Sequence, residues 1–162
     1  KKENIKLTPL IHGGKSTTPY RSGTPVTANI LALVEALNLT KELTDKDTLH
    51  YISTLNKILR EKLKSIEDIN INSPESAIPH VLNFSFKNIN AKKIVEKLAE
   101  EEIYVSTSSA CSLDGVPSKS VLAITKNLTL AKNSIRVSLS KFTTYTEINF
   151  FFSKLQQIRE NT

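Results

Sequence analysis

The chain has 162 residues, 39% hydrophobic and 23% charged, a composition that sustains a packed core and predicts an ordered chain. Its net charge of +6, from 22 Lys and Arg against 16 Asp and Glu, permits an acidic partner, but the lysines are spread along the chain rather than massed in one patch. No apolar run approaches the roughly 18 residues of a membrane span, the opening Lys1-Lys2-Glu3-Asn4 does not read as a signal peptide, and the single cysteine excludes an internal disulfide framework and a multi-cysteine zinc site.

Leu7 to Thr27 reads as loop, punctuated by Pro9, Gly13, Gly14, Pro19, Gly23 and Pro25. A loop of this length inside a compact domain is more often functional than idle. Ala28 to Leu37 follows as a helix that is apolar nearly all round, so burial is expected. A second helix, about Asp45 to Ser65, carries Leu49, Ile52, Leu55, Leu59, Leu63 and Ile66 at helical spacing, with Thr44 and Asp47 resembling a capping box. Ile69 to Ala77 reads as a turn.

At Val81 the period changes to two. Leu82, Phe84 and Phe86 alternate with Val81, Asn83 and Ser85, the pattern of a half-buried strand. Asn90 caps a helix through Glu101, with Ile94, Val95, Leu98 and Ala99 turned inward. Ile103 to Ser106 reads as a short strand, Thr107 to Pro117 as a polar loop, and Ser118 as the cap of a short helix carrying Val121, Leu122 and Ile124. From Ser134 to Ser140, Ile135, Val137 and Leu139 share one face of a strand, while Arg136, Ser138 and Ser140 share the other. Thr144 and Glu147 form a capping box for a last helix with the stripe Ile148, Phe151, Phe152, Leu155 and Ile158. From residue 81 the order is β-α-β-loop-α-β-α, which predicts a small α+β layer, one sheet with helices on one face.

Three features could carry chemistry. Cys111 lies between elements among small polar residues, where a thiol is accessible and suits a mobile nucleophile; an incidental surface thiol is the other reading. Arg136 stands on the outward face of its strand between two serines, where its fork can take a carboxylate or phosphate bidentately; a solvated arginine is the alternative. His12-Gly13-Gly14 and Arg21-Ser22-Gly23-Thr24 precede a helix, where backbone N–H groups and hydroxyls attract phosphate, though the spacings fit neither a Walker motif nor a dinucleotide fingerprint, and an ordinary loop remains open. His12, His50 and His80 are scattered and predict no metal site.

Taken in order, Pro9-Leu10-Ile11-His12-Gly13-Gly14, Arg21-Ser22-Gly23-Thr24-Pro25, Ser109-Ala110-Cys111-Ser112, Pro117-Ser118 with Val121 to Ile124, and Ser134 to Ser140 resemble the cysteine desulfurases of the class V aminotransferase group, over essentially the whole chain. The resemblance implies the C-terminal part of a fold-type I transferase dependent on pyridoxal 5′-phosphate. Residues 1–42 would be the tail of its large cofactor-binding domain, and residues 43–162 its small α/β (α+β) domain, an antiparallel or mixed sheet covered by helices. It implies an enzyme that takes sulfur from L-cysteine, gives L-alanine, and passes a persulfide to a scaffold or carrier protein in iron–sulfur cluster or thio-cofactor assembly. Cys111 would form the persulfide, Arg136 would clamp the substrate carboxylate, and Thr24 would reach the cofactor phosphate of the other subunit in a cytoplasmic homodimer. No membrane and no nucleic acid enter this picture.

Lys15-Ser16-Thr17 stand where the family usually has Gly-Gln-Glu, Val26 where Asn is common, and the loop after Cys111 is shorter than usual, which marks a divergent member. The family's motif with the cofactor lysine is not found in these residues and would fall shortly before Lys1, and the chain contains no Met. The expectation is therefore a chain that begins just after that lysine and has no desulfurase activity by itself. Two other readings compete: a stand-alone ferredoxin-like module binding nucleic acid or protein, which would expose aromatics on its strands, and a selenocysteine lyase-like relative.

Overall fold

The computed structural model describes residues 8–14, 20–43, 46–107 and 116–161. The chain divides by its contacts into two compact units, Lys1–Leu43 and Thr44–Thr162.

In the first unit the segments around Ile11 and Arg21 meet in a parallel bridge, ahead of helix α1, Thr27–Leu43. Its apolar residues Ile30, Leu31, Leu33, Val34, Leu37 and Leu39 are all exposed, which corrects the expectation of burial. A helix that is apolar all round needs neighbours on several sides. Among the described residues, the rest of this unit is loop.

The second unit is a three-stranded antiparallel sheet in the order β1-β2-β3, with β1 at Ile69–Ile71, β2 at Val81–Phe86 and β3 at Ser134–Ser138. Ile69 pairs with Phe86, Phe84 with Ile135 and Leu82 with Val137, so the apolar residues of all three strands, Val81 excepted, share one face. Over that face pack α2 (Lys46–Lys64), α3 (Ala91–Glu100) and α6 (Tyr145–Glu160). The core joins Leu59 and Leu63 of α2, Ile94 and Leu98 of α3, and Phe151 and Leu155 of α6 to Phe84, Phe86 and Ile135. The helices begin where their caps dictate. The Asn90 side chain accepts from the Lys92 amide, and Thr144 and Glu147 complete a reciprocal capping box. The box proposed at Thr44 lies outside the described residues.

Several expectations are corrected. Ile69–Ile71 is an edge strand rather than a turn. Ile103–Ser106 is not a strand; its only pairing is a single antiparallel bridge from Ser106 to Arg136. Leu49, Ala99, Leu122 and Ile124 are exposed, whereas Ala91 takes the inward position at the start of α3. Two short helices, α4 (Lys119–Thr125) and α5 (Leu128–Lys132), precede β3, and α5 lies against the sheet's other face, where the Ser85 hydroxyl donates to the Leu130 carbonyl. Helices therefore contact both faces rather than one. Phe84 and Phe86 are fully buried, which removes the strand aromatics that a base-stacking module would need.

Candidate functional site

The second face of the sheet is built almost wholly from polar residues. Register sets Asn70 opposite Ser85, Ser85 opposite Ser134, and Asn83 opposite Arg136. Because side chains alternate across a strand, all of them project away from the Leu-Phe face. The buried Asn72 donates its amide to the Asn83 side-chain oxygen at 2.7 Å and to the Ser85 hydroxyl at 2.6 Å. The Ser85 hydroxyl donates a hydrogen bond to the Leu130 carbonyl at 2.7 Å, which fastens α5 to β2. These groups satisfy one another, which is the condition for burying them.

Arg136 is the middle residue of β3, opposite Asn83 on this face. Its backbone N–H donates to the Ser106 carbonyl at 2.7 Å and its carbonyl accepts from the Ser106 N–H at 3.2 Å. One terminal nitrogen of its guanidinium lies 3.5 Å from the Ser106 hydroxyl, and the side chain is otherwise exposed. Among the described residues it makes no ion pair. A guanidinium carries five donors in a rigid fork, so one contact to Ser106 leaves an edge able to take a carboxylate.

Ser106 also begins the segment that leads to Cys111. Cys111 itself lies outside the described residues, but both feet of its segment are fastened. The Ser134 hydroxyl donates to the Thr107 carbonyl at 3.4 Å, and the Ser118 N–H donates to the Ala131 carbonyl at 2.9 Å. Three residues of chain lie between Thr107 and Cys111. Sequence reading found Arg136 but not its flanking partners Asn83 and Ser106; strand register and one bridge, not spacing, bring them together.

Thr24 belongs to the first unit. Gly13 and Gly23 adopt φ of 154° and 128°, conformations that favour glycine. Between them the Ser22 N–H donates to the Ile11 carbonyl at 3.2 Å and the Ser22 hydroxyl to the Gly14 carbonyl at 2.9 Å. This pinch leaves Thr24 exposed, three residues ahead of the 17-residue α1. The positions Lys15, Ser16 and Thr17 lie outside the described residues. Among the described residues no group of His, Cys, Asp and Glu could hold a metal ion, and no helix is long and apolar enough to cross a membrane.

The chain is similar to known proteins along nearly its whole length. The family described as Aminotransferase class-V matches residues 6–151. Two proteins named cysteine desulfurase IscS are similar over nearly the whole chain. That of Dictyoglomus turgidum is 34% identical over 98% of this chain and 41% of its own length, and that of Neisseria gonorrhoeae 32% identical over 99% and 40%. Among solved structures, a NifS-like protein superposes with a TM-score of 0.82 at 25% identity, covering 99% of this chain and 41% of that one. A NifS-like protein from Rickettsia africae gives 0.79 at 27% identity, covering 97% and 41%. The chain thus spans about two-fifths of the length of the relatives it matches.

Proposed function

The chain belongs to the class-V aminotransferase family, and from that premise we propose that it is the C-terminal portion of a cysteine desulfurase acting on L-cysteine. The observation that carries this reading is Arg136, an outward guanidinium without an ion pair among the described residues, bridged to the foot of the segment that bears the chain's one cysteine. Similarity to proteins named cysteine desulfurase adds to it.

The cofactor of this family is pyridoxal 5′-phosphate, and the first unit fits a phosphate. Thr24, which follows Gly23 at φ 128°, is exposed three residues ahead of α1, and the N–H groups and dipole of a helix start favour an anion. When bound, the cofactor supplies an electron sink for the substrate amino acid. Thr24 would hold a phosphate oxygen, that of the partner subunit in a homodimer. The motif that carries the cofactor lysine is not among these 162 residues, so by themselves they would release no alanine.

Arg136 would bind the carboxylate of L-cysteine through two N–H groups and so fix which way its sulfur points. Cys111, as thiolate, would attack that sulfur. The carbon–sulfur bond of the substrate breaks, a sulfur–sulfur bond forms on Cys111, and the thiol proton is balanced by the one gained at carbon. L-cysteine and a protein thiol become L-alanine and a protein persulfide. An acceptor protein would then take the outer sulfur by thiol exchange, for use in iron–sulfur cluster or thio-cofactor assembly.

The test is Cys111→Ala in the full-length enzyme. We expect loss of persulfide, read by labelled sulfur on the protein, with the cofactor absorbance unchanged. Persistence of the persulfide, or loss of the cofactor absorbance, would overturn the role given to Cys111.

A further inference from the structure

Arg136 receives help from a residue thirty positions earlier. We propose that Ser106 is a positioning residue for Arg136: its backbone fixes where the arginine leaves the sheet, and its hydroxyl orients the guanidinium for the substrate carboxylate. This rests on the reading of Arg136 as the carboxylate clamp.

Three observations support it. First, the segment from Ile103 to Ser106 pairs with the sheet only at Ser106, and only with Arg136. A strand would continue its ladder; this segment makes one two-way bridge, at 2.7 and 3.2 Å, at the arginine. Second, the hydroxyl stands 3.5 Å from one terminal nitrogen of the guanidinium. A hydroxyl accepts a hydrogen bond without neutralising the cation, so it can aim the fork without competing for its charge as a carboxylate would. Third, the residue on the other side of Arg136 is also uncharged. Asn83 stands directly opposite on β2, and its side-chain oxygen is already taken by Asn72. The neighbour that the fork touches is thus the neutral Ser106 hydroxyl, while the residue across the ladder is also neutral and bonded elsewhere.

An exposed arginine loses rotamer freedom when it binds, and a partner that restricts it beforehand lowers that cost. Ser106 acts through Arg136 and not on the reacting atoms. Its loss should weaken capture of substrate and leave the turnover of bound substrate nearly unchanged.

The experiment measures steady-state kinetics for L-cysteine in the cofactor-loaded holoenzyme, comparing Ser106→Ala, Ser106→Thr and Arg136→Ala. The contact is long and exposed, so we expect Ser106→Ala to raise KM roughly three- to tenfold with kcat within about twofold. Ser106→Thr, which keeps the hydroxyl, should restore KM. Arg136→Ala should raise KM by a larger factor, roughly a hundredfold. If Arg136→Ala raises KM and Ser106→Ala does not, the positioning role is wrong and the clamp stands. If Arg136→Ala leaves KM unchanged, the clamp itself is wrong. A fall in kcat and melting temperature without a KM change, or failure of the threonine variant to rescue, would reduce Ser106 to a structural residue and overturn the proposal.

Discussion

Ser85→Ala removes one oxygen from the middle of a Phe-Ser-Phe strand, and the structure says what that oxygen does. It is fully buried, donates to the Leu130 carbonyl at 2.7 Å and accepts from the Asn72 amide at 2.6 Å. Asn72 keeps its second bond, to Asn83, but one N–H is stranded in a dry site. An unpaired buried donor costs about 1–3 kcal/mol, and the lost bond to Leu130 adds about 1 kcal/mol. The expected destabilisation is therefore about 2–4 kcal/mol, or a fall of about 10 °C in the melting temperature for a unit of this size. The assay is urea unfolding followed by circular dichroism, where the midpoint should fall while the slope stays constant. Adding Asn72→Ala removes the stranded donor, so the double variant should be about 1 kcal/mol less destabilised than the sum of the singles. The same change loosens α5, so the Ser118 amide, bonded to the Ala131 carbonyl, should exchange faster with solvent. A loss below about 0.5 kcal/mol, or strict additivity of the pair, would refute the account of the polar face as a saturated network.

Glu147 gives a pH prediction. Hydrogen bonds from the Thr144 backbone N–H and hydroxyl hold its carboxyl below the ordinary value of 4.5. A lowered pKa contributes stability that is fully present above 4.5 and is lost as pH falls through the lowered value. The first turn of α6 should therefore fray on acidification, read as faster exchange of the Glu147 amide, and Glu147→Gln should abolish that pH dependence. In the first unit, Gly13→Ala should strain a backbone at φ 154° and press a new methyl 3.1 Å from the Ser22 side chain, while Gly14→Ala meets nothing. Proteolysis or amide exchange at Ser22 should rise about tenfold in the first variant, corresponding to about 1.4 kcal/mol, and stay level in the second.

What the sequence disclosed and withheld divides along a physical line. Patterns local to one element were legible: the alternation of Ile135, Val137 and Leu139, the α2 stripe from Ile52 to Leu63, the capping box at Thr144 and Glu147, and the outward position of Arg136. Contacts made across the fold were not. Ile69–Ile71 looks like a turn because three residues between Glu67-Asp68 and Asn72-Ser73-Pro74 carry little strand signal; pairing with β2 gives it strand character. Ile103 to Ser106 shows the reverse, with strand-forming residues but a single pairing and Tyr104 left 81% exposed. The burial expected of α1 failed because an apolar surface says that it should be covered and not by what. Ser106 and Arg136 meet through one bridge across thirty residues, a distance at which periodicity carries no information.

The sheet's second face explains why the candidate site falls where it does. A three-stranded sheet that buries one face in its own core must either cover the other or leave it polar. Here the end near α5 is covered, and its groups are paired internally: Asn72 with Asn83 and Ser85, and Ser85 with Leu130. At Arg136, the middle residue of β3, that pairing stops. Arg136 projects beyond the covered part with a charge that no carboxylate among the described residues meets. A cation in this position adds nothing to the core and gains no stability from an ion pair. The same strand thus faces two ways, because alternation lets Ile135 and Val137 anchor it in the core while Arg136 between them projects from the opposite face.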